Sequence, residues 1–411
     1  MVWSGIVQRQ ANKLLDTAMA DTPVVMVTGP RQCGKTTLVR DLAAESRRYV
    51  TLDDPTAFSA AQTDPLYFLR DQGNITIDEV QRAPDLLRAI KLMVDQDRRP
   101  GRFVLTGSAN LLTLPGVSES LAGRMEIVPL YPLAMSEISV RESNLLEDLL
   151  AGRMSQARQH VTGRELEEKV LTGGYPEMLL RADAGRRQRW ARDYLRAIVE
   201  RDVRDIAEIE KLDQMPRLLR MLSLYAGELA NYARIGAEIR LDEKTARKYL
   251  GILEQLFLVR RLEPWSRHAP SRMVRTPKLH FLDSGLLAAL RGVTAQKVET
   301  DRRLFGHLLE CFVYAELLKL VSWRSEECRL FHYRDKDQYE VDFVLQELSG
   351  KLAGVEVKAS STVTAADFRG LRKLQQAAPE EFQCGVVLYD GEESVAFGEK
   401  LFAVPLSCFW P

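Results

Sequence analysis

One short segment limits the fold of this chain more than any other: Gly29–Thr37 reads G-P-R-Q-C-G-K-T-T. It follows the apolar run Pro23–Val27 and leads into Thr37–Leu42, which has helical character. In the pattern G-x-x-x-x-G-K-[ST], backbone N–H groups surround phosphate oxygens, the lysine reaches the β- and γ-phosphates, and the hydroxyl binds Mg²⁺. A strand, a phosphate-binding loop and a helix N-terminus are therefore predicted. The predicted phosphate-binding residues are Gly29, Pro30, Arg31, Gln32, Cys33, Gly34, Lys35, Thr36 and Thr37.

A second nucleotide motif lies about forty residues further on. The segment Asn74–Glu79 is rich in β-branched residues and ends in two acids, which is the Walker B form. Asp78 is expected to hold Mg²⁺ together with Thr36, and Glu79 is expected to polarise the attacking water. The two motifs together predict a site for ATP and Mg²⁺ that supports hydrolysis.

A third apolar strand, Phe103–Thr106, ends in Gly107–Asn110. Strand ends in an open parallel sheet face the ligand crevice. Ser108 is the first candidate for a residue that senses the γ-phosphate or the attacking water, with Thr106 and Asn110 behind it. The alternative is that these residues only end a strand with turn chemistry.

The segment Leu121–Leu130 then reads L-A-G-R-M-E-I-V-P-L. It resembles AAA+ ATPases, in which an arginine after the sensor strand precedes a short strand and a proline. The resemblance implies that Arg124 acts in trans on the ATP of a neighbouring subunit, so that the protein is a homo-oligomer. The competing interpretation is a surface arginine that caps a helix C-terminus, where its charge suits the helix dipole.

Composition excludes several classes of protein. The chain has 411 residues, a formal net charge of zero and 45% hydrophobic residues, which predicts a globular protein of two or three domains. Its five cysteines have no C-x-x-C spacing, which argues against a zinc site or a disulfide framework. No apolar run reaches 18 residues and no signal-peptide pattern opens the chain, so we expect a cytoplasmic protein without a membrane partner.

The middle of the chain is predicted to be helical. Residues Ser136–Asp205 have helical spacing, interrupted by the turn Thr172–Pro176, which reads T-G-G-Y-P. By the same resemblance this region is the helical lid over the nucleotide, with the turn as a hinge or a nucleotide contact. Helices are then expected at Leu218–Leu229, Arg234–Ile239 and Thr245–Leu258, followed by a strand.

That order is typical of a winged helix-turn-helix, with Asp242 as an N-cap. From Lys244 to Lys278 there are nine Lys or Arg and two Glu, the clearest basic segment in a neutral protein. The N-terminal end of the third helix carries Lys244, Arg247 and Lys248, and such helices often enter the major groove of DNA. Nucleic acid is therefore a predicted partner, while packing or contact with another protein is the alternative.

The last part of the chain carries a different set of polar residues. A helix with Glu310 precedes strands that contain Asp342 and the sequence Glu356-Val357-Lys358, and a helix and the strand Cys384–Tyr389 follow. This order resembles the PD-(D/E)xK, or restriction-endonuclease-like, nucleases. Strand side chains alternate between faces, so Glu356 and Lys358 share one face.

The pattern predicts a second site with catalytic chemistry. Carboxylates that converge from neighbouring strands can hold Mg²⁺ or Mn²⁺, and Lys358 can orient or activate water beside them. The predicted metal ligands at this site are Glu310, Asp342 and Glu356.

Together these features predict an α/β protein with a P-loop AAA+ domain, a helical lid, a winged helix-turn-helix and a restriction-endonuclease-like domain. The expected boundaries are 1–135, 136–205, 206–277 and 278–411. The chain as a whole resembles a widespread group of prokaryotic AAA+ ATPases whose C-terminal half is a domain of unknown function. Two functions follow: an ATPase that controls a metal-dependent nuclease, or a non-nucleolytic ATPase switch that binds DNA or protein.

Overall fold

The computed structural model describes residues 7–43, 47–108, 121–203, 212–267 and 276–410. The chain divides into two compact units. The N-terminal unit comprises Gln8–Leu133 with Gln255–Phe257, and the C-terminal unit contains Ala134–Glu254 and Leu258–Pro411. The predicted boundary between residues 205 and 206 lies outside the described residues.

The N-terminal unit is built on a parallel sheet. Its strands are β1 (Val24–Thr28), β2 (Arg48–Thr51), β3 (Ile75–Asp78), β4 (Phe103–Gly107) and β5 (Met125–Pro129). Their order across the sheet is β2-β3-β4-β1-β5, and every described pair is parallel. The helices are α1 (Ala11–Asp21), α2 (Lys35–Ala43), α3 (Pro55–Thr63), α4 (Pro65–Leu69) and α5 (Asp85–Gln96).

The burial of the strands explains their apolar sequences. Every residue of β1, β3 and β4 is buried, as expected for central strands of a parallel sheet that is covered on both faces. Helix α5 covers one face with Leu86, Ile90 and Val94. Because parallel strands end at the same edge, the ends of β1, β3 and β4 bring the three predicted nucleotide motifs together. The α/β architecture predicted from the sequence is confirmed.

The C-terminal unit begins with helices. They are α6 (Met135–Ile138), α7 (Leu145–Leu150), α8 (Gly163–Thr172), α9 (Pro176–Leu179) and α10 (Ala184–Ala197). A π-helical turn, Ile198–Asp202, continues α10. Three more helices follow, α11 (Met215–Leu224), α12 (Tyr232–Glu238) and α13 (Glu243–Gln255), and then the antiparallel hairpin β6 (Val259–Leu262) and β7 (Lys278–Phe281). Asp242 accepts the backbone N–H of Thr245 at 2.9 Å, which confirms the predicted N-cap of α13.

A mixed sheet forms the centre of the remaining chain. Its strands are β8 (Cys328–Arg334), β9 (Glu340–Glu347), β10 (Leu352–Lys358), β11 (Phe382–Tyr389), β12 (Val395–Gly398) and β13 (Leu401–Pro405). Their order is β12-β13-β11-β10-β9-β8. The surrounding helices are α14 (Ser284–Arg291), α15 (Ala295–Thr300), α16 (Arg303–Ser322) and α17 (Arg369–Ala377). The strands predicted around Asp342, at Glu356–Lys358 and at Cys384–Tyr389 correspond to β9, β10 and β11, and the short strands β12 and β13 extend the sheet beyond β11.

The glycines of the turn Thr172–Pro176 pack against a buried acid. Gly174 donates its backbone N–H to Asp283 Oδ2 at 2.8 Å, and the other oxygen of Asp283 accepts the N–H of Leu286 at 2.9 Å, which caps α14. Gly173 has a φ of 70°, and a Cβ at this position would lie 2.4 Å from Asp283 Oδ1. The turn therefore joins α8 and α14 within the C-terminal unit.

We predict that Gly173→Ala destabilises the protein far more than Gly163→Ala. Both glycines have positive φ, but a Cβ on Gly163 would meet nothing within 4 Å. The expected losses in free energy of unfolding are about 3 kcal/mol at Gly173 and about 1 kcal/mol at Gly163. Denaturant unfolding of the two variants measures the difference. Equal losses would show that Asp283 moves aside at no cost.

Candidate functional site

The P-loop occupies the gap between β1 and α2, as the sequence predicts. Gly29 lies so close to the chain after β5 that a Cβ would stand 1.9 Å from the carbonyl oxygen of Leu130, so only glycine fits there. Lys35 is buried, and its Nζ donates to the carbonyl oxygens of Gly29 at 2.9 Å and Pro30 at 2.8 Å. The ammonium group is thus held inside the loop by backbone oxygens.

An arginine outside the motif fixes the back of this loop. Arg9 donates from one guanidinium nitrogen to the carbonyl oxygen of Cys33 at 2.8 Å, and from the other to that of Tyr131 at 2.6 Å. The buried thiol of Cys33 contacts the carbonyl oxygen of Leu130 at 3.3 Å. The loop is therefore tied both to the segment before α1 and to the chain that leaves β5.

Asp78, at the end of β3, accepts hydrogen bonds from three hydroxyl groups. Thr36 donates to its Oδ2 at 3.0 Å and Tyr49 donates to the same oxygen at 2.8 Å. Thr106 donates to Oδ1. Burial, followed by the hydrogen bond to Asp78, raises the pKa of Tyr49. The two residues predicted to bind Mg²⁺, Thr36 and Asp78, are thus in direct contact, although Asp78 is only 3% exposed.

Glu79 follows in an uncommon backbone conformation. Its φ of 60° and ψ of 43° are left-handed, which costs about 1–2 kcal/mol for a residue with a side chain. Its N–H donates to Thr106 Oγ1 at 3.0 Å. Its Oε2 accepts from Ser108 Oγ at 3.3 Å and from the amide of Gln81, which also donates to Ser108 Oγ at 3.0 Å. The structure therefore places Ser108, the predicted sensor, against the predicted base. Asn110 lies outside the described residues.

Arg124 is engaged within its own chain. Its Nε donates to Asp95 Oδ1 on α5 at 2.5 Å, and another guanidinium nitrogen donates to the carbonyl oxygen of Ala122 at 3.2 Å. The side chain is 23% exposed. A role on a neighbouring subunit requires this ion pair to open, and both sequence-based interpretations of Arg124 remain predictions.

The four residues of the second predicted site lie on α16, β9 and β10, but they form two separate ion-paired groups. Glu356 Oε1 accepts from Lys358 Nζ at 3.0 Å. Glu310 and Asp342 instead share a second lysine. Lys278 Nζ donates to each of them at 3.2 Å. The second oxygen of Asp342 accepts the backbone N–H of Val357 at 2.9 Å.

Burial sets the ionisation of these groups. Desolvation, followed by repulsion from Asp342, raises the pKa of Glu310 to about 8 and that of Glu356 to about 8. Desolvation alone would lower the pKa of Lys278, but attraction to Asp342, Glu310 and Glu340 raises it well above its ordinary value. Lys278 therefore stays charged in this buried position.

Two buried histidines lie near the same residues. His280 stacks on Tyr314 with ring centroids 4.5 Å apart, and desolvation followed by the charge of Lys278 lowers its pKa well below 6.5. The same two causes lower the pKa of His332 to about 3. Both are neutral at ordinary pH. Over the ranges that the structure describes, no group of three or more His, Cys, Asp or Glu side chains has the geometry to hold a metal ion.

Sequence reasoning missed several side chains that contact predicted residues, among them Tyr49, Gln81 and Lys278. It counted Lys278 in the basic segment expected to face DNA, but Lys278 is buried. Arg261, in the same segment, is paired with Glu254 at 2.6 Å. The segment is therefore less available to nucleic acid than its charge of nine Lys or Arg against two Glu suggests. Lys244, Arg247 and Lys248 do remain exposed at the start of α13, with Arg247 paired with Glu243 at 3.0 Å.

Three family matches cover most of the chain. Residues 21–139 match an AAA domain, and residues 163–297 and 305–409 match two domains of unknown function, DUF8612 and DUF4143. Uncharacterised proteins of Mycobacterium tuberculosis and Mycobacterium bovis are each 30% identical over 404 residues, which is 97% of this chain and 84% of each relative. The chain belongs to the family of these proteins, AAA-type ATPases with a C-terminal DUF4143 domain.

Solved structures show a more distant likeness. A Walker-type ATPase of Pyrococcus abyssi is 15% identical, with 70% of this chain and 96% of that chain covered and a TM-score of 0.43. AMPPCP-bound DnaA of Aquifex aeolicus is 15% identical, with 61% and 89% covered and a TM-score of 0.31. Of the helices described in this chain, none is long and apolar enough to cross a membrane.

Proposed function

We propose that this AAA-type ATPase hydrolyses ATP with Mg²⁺ at the carboxyl edge of the N-terminal sheet. One observation carries the proposal: Thr36, on the P-loop helix, donates directly to Asp78, and Glu79 lies next in the chain against Ser108. A hydroxyl and a carboxylate side by side are the oxygen ligands that Mg²⁺ takes in phosphate sites. The chemistry of these donors fits the ion.

Each side chain has a defined task in this proposal. Lys35 exchanges the carbonyl oxygens of Gly29 and Pro30 for phosphate oxygens when the nucleotide binds, because an ammonium prefers anionic acceptors. Mg²⁺ neutralises charge on the phosphates when bound. Glu79 takes up the proton of the attacking water, and Ser108 lies within reach of the same carboxylate.

Gln81 and Tyr49 position the two acids. The Gln81 amide holds Glu79 Oε2 beside Ser108, and the Tyr49 hydroxyl holds Asp78 Oδ2 beside Thr36. Because each acts on a different carboxylate, the first supports proton transfer and the second supports metal binding. The left-handed backbone of Glu79 is consistent with a residue held in place for a reaction.

The protein acts, in this proposal, as a homo-oligomer that binds nucleic acid. Arg124 supplies positive charge to the ATP of a neighbouring subunit once it leaves Asp95. The exposed cations Lys244, Arg247 and Lys248 supply the contact with phosphate groups. Of the two outputs that the sequence allows, we favour the non-nucleolytic switch, since the carboxylates of the second site are already paired with lysines.

We predict that Lys35→Ala and Glu79→Gln separate binding from hydrolysis. Lys35→Ala should greatly weaken ATP binding, because the loop loses its ammonium. Glu79→Gln should bind ATP normally and hydrolyse it about 10²–10⁴-fold more slowly. Equilibrium binding of a fluorescent ATP analogue and steady-state phosphate release measure the two steps. Unchanged turnover in Lys35→Ala would refute the P-loop assignment, and loss of binding in Glu79→Gln would make Glu79 structural.

We predict opposite kinetic signatures for Gln81→Leu and Tyr49→Phe. Gln81→Leu should lower kcat by up to about 100-fold with an unchanged Mg²⁺ requirement, because Glu79 loses its position. Tyr49→Phe should raise the Mg²⁺ concentration for half-maximal activity about tenfold with a smaller change in kcat, because Asp78 loses one donor. Mg²⁺ titrations of the ATPase rate distinguish them. Identical profiles would mean that the two contacts do not act on separate acids.

We predict that Arg124→Ala lowers the ATPase rate about 10³-fold or more, whereas Asp95→Asn does not. Asp95→Asn breaks the same ion pair but leaves the guanidinium group in place. Mixing Arg124→Ala chains with Glu79→Gln chains should restore part of the activity, since each supplies what the other lacks. No recovery in oligomers confirmed to be mixed would limit Arg124 to a contact within its own chain.

A further inference from the structure

The acid cluster of the C-terminal unit, which we define as Glu310, Glu340 and Asp342, surrounds a single ammonium group. Lys278 Nζ lies 2.7 Å from Glu340 Oε1 and 3.2 Å from both Glu310 Oε1 and Asp342 Oδ1. Its side chain is only 4% exposed. A lysine ammonium has three N–H donors, and here each faces a different carboxylate.

We infer that Lys278 is the resident cation of the acid cluster. Its ammonium takes the position that the sequence assigned to a divalent metal between Glu310 and Asp342. The C-terminal sheet therefore binds no catalytic metal there and does not cut nucleic acid. The inference concerns a different site from ATP hydrolysis and does not depend on it.

Cations of the chain offset most of the negative charge of the cluster without a metal ion. Besides Lys278, Arg334 contributes a second cation 3.8 Å from Glu340 Oε2. Three carboxylates face these two cations. A divalent ion would leave the site with excess positive charge.

A metal ion and Lys278 exclude each other at this position. Mg²⁺ needs oxygen ligands at about 2.0–2.1 Å in a nearly octahedral arrangement. The same oxygens already hold the ammonium, whose charge would repel the ion at short range in a buried site. The other oxygen of Asp342 is used by the backbone N–H of Val357. Asp342 therefore has one oxygen on a charged ammonium group and the other on a backbone N–H.

The third predicted ligand is also engaged. Glu356 Oε1 pairs with Lys358, and Oε2 is buried and finds no donor among the described residues. The motif Glu356-Val357-Lys358 therefore keeps its strand position, with one of its two carboxylate oxygens engaged by Lys358.

Lys278 also joins two parts of the C-terminal unit. It is the first residue of β7, in the hairpin that follows the three helices α11 to α13. Its neighbours in the chain are fixed by backbone bonds: Ala230 N–H to the oxygen of Pro277 at 2.8 Å, and Gly227 N–H to the oxygen of Leu279 at 2.8 Å. The lysine thus enters the cluster from a rigid strand.

Mn²⁺ binding to nucleotide-free protein tests the inference. We expect no Mn²⁺ at the cluster of the wild-type chain, so that Asp342→Asn leaves the Mn²⁺ titration, followed by electron paramagnetic resonance, unchanged. Lys278→Met should gain one Mn²⁺ site per chain, because the carboxylates lose their cation. The matched control Lys358→Met removes the other lysine of the two ion-paired groups and should gain none. Wild-type binding that Asp342→Asn abolishes would overturn the inference, as would equal gains in both lysine variants.

A second measurement uses the melting temperature and does not depend on metal binding by the Lys278→Met chain. In the wild type, Asp342→Asn should lower the melting temperature, because Lys278 loses a partner. In the Lys278→Met background the same substitution should raise it, because it removes repulsion between unpaired carboxylates. The same direction of change in both backgrounds would overturn the inference.

Nucleic-acid cleavage by the full-length wild-type chain is the third measurement. Supercoiled plasmid and single-stranded DNA and RNA, with Mg²⁺ or Mn²⁺ and with or without ATP, should remain intact while the same preparation hydrolyses ATP. Cleavage that Asp342→Ala and Lys358→Ala both abolish would overturn the inference and leave the ATPase proposal standing. If the wild-type chain neither hydrolyses ATP nor cuts nucleic acid, the result counts against the ATPase proposal alone.

Discussion

A carboxylate taken out of water must be surrounded by donors or cations, because its desolvation otherwise costs several kcal/mol. Each unit of the chain contains one strand aspartate that needs such partners. Asp78 ends a central strand of the parallel sheet and is 3% exposed, and Asp342 lies within the mixed sheet beside two further acids. The polar side chains around each of them are arranged to meet that demand, and the chemistry of each site follows from which side chains do so.

The N-terminal site was largely predictable, because its residues lie at strand ends of a fold with one common edge. Lys35, Thr36, Asp78 and Glu79 follow apolar runs whose spacing identifies them, and parallel strand order then brings them together. Tyr49 was not predictable in this way. It lies on the edge strand β2, which has no motif. The register pairs it with Thr76, two residues before Asp78, and its hydroxyl reaches the acid from there.

In the C-terminal sheet, alternation along a strand predicts the face of each side chain but not its partner from a distant strand. Alternation along β9 and β10 predicted the faces of Asp342 and Glu356, since a strand fixes side-chain direction. The cation between the acids comes from a strand far away in the sequence: Lys278 is 64 residues from Asp342. A lysine in a basic segment is normally solvated, and no local signal separates a buried one from its neighbours.

The kind of donor explains why the two sites differ. Thr36, Tyr49 and Thr106 approach Asp78 with neutral hydroxyl groups, which add no positive charge to the site. A site of that kind still attracts a divalent cation. Lys278 approaches Asp342 with a full positive charge and a raised pKa. The negative charge of Asp342 is therefore already paired with a cation of the same chain. In our proposals, two strand aspartates therefore produce one site that takes Mg²⁺ and one that is closed by an ammonium group.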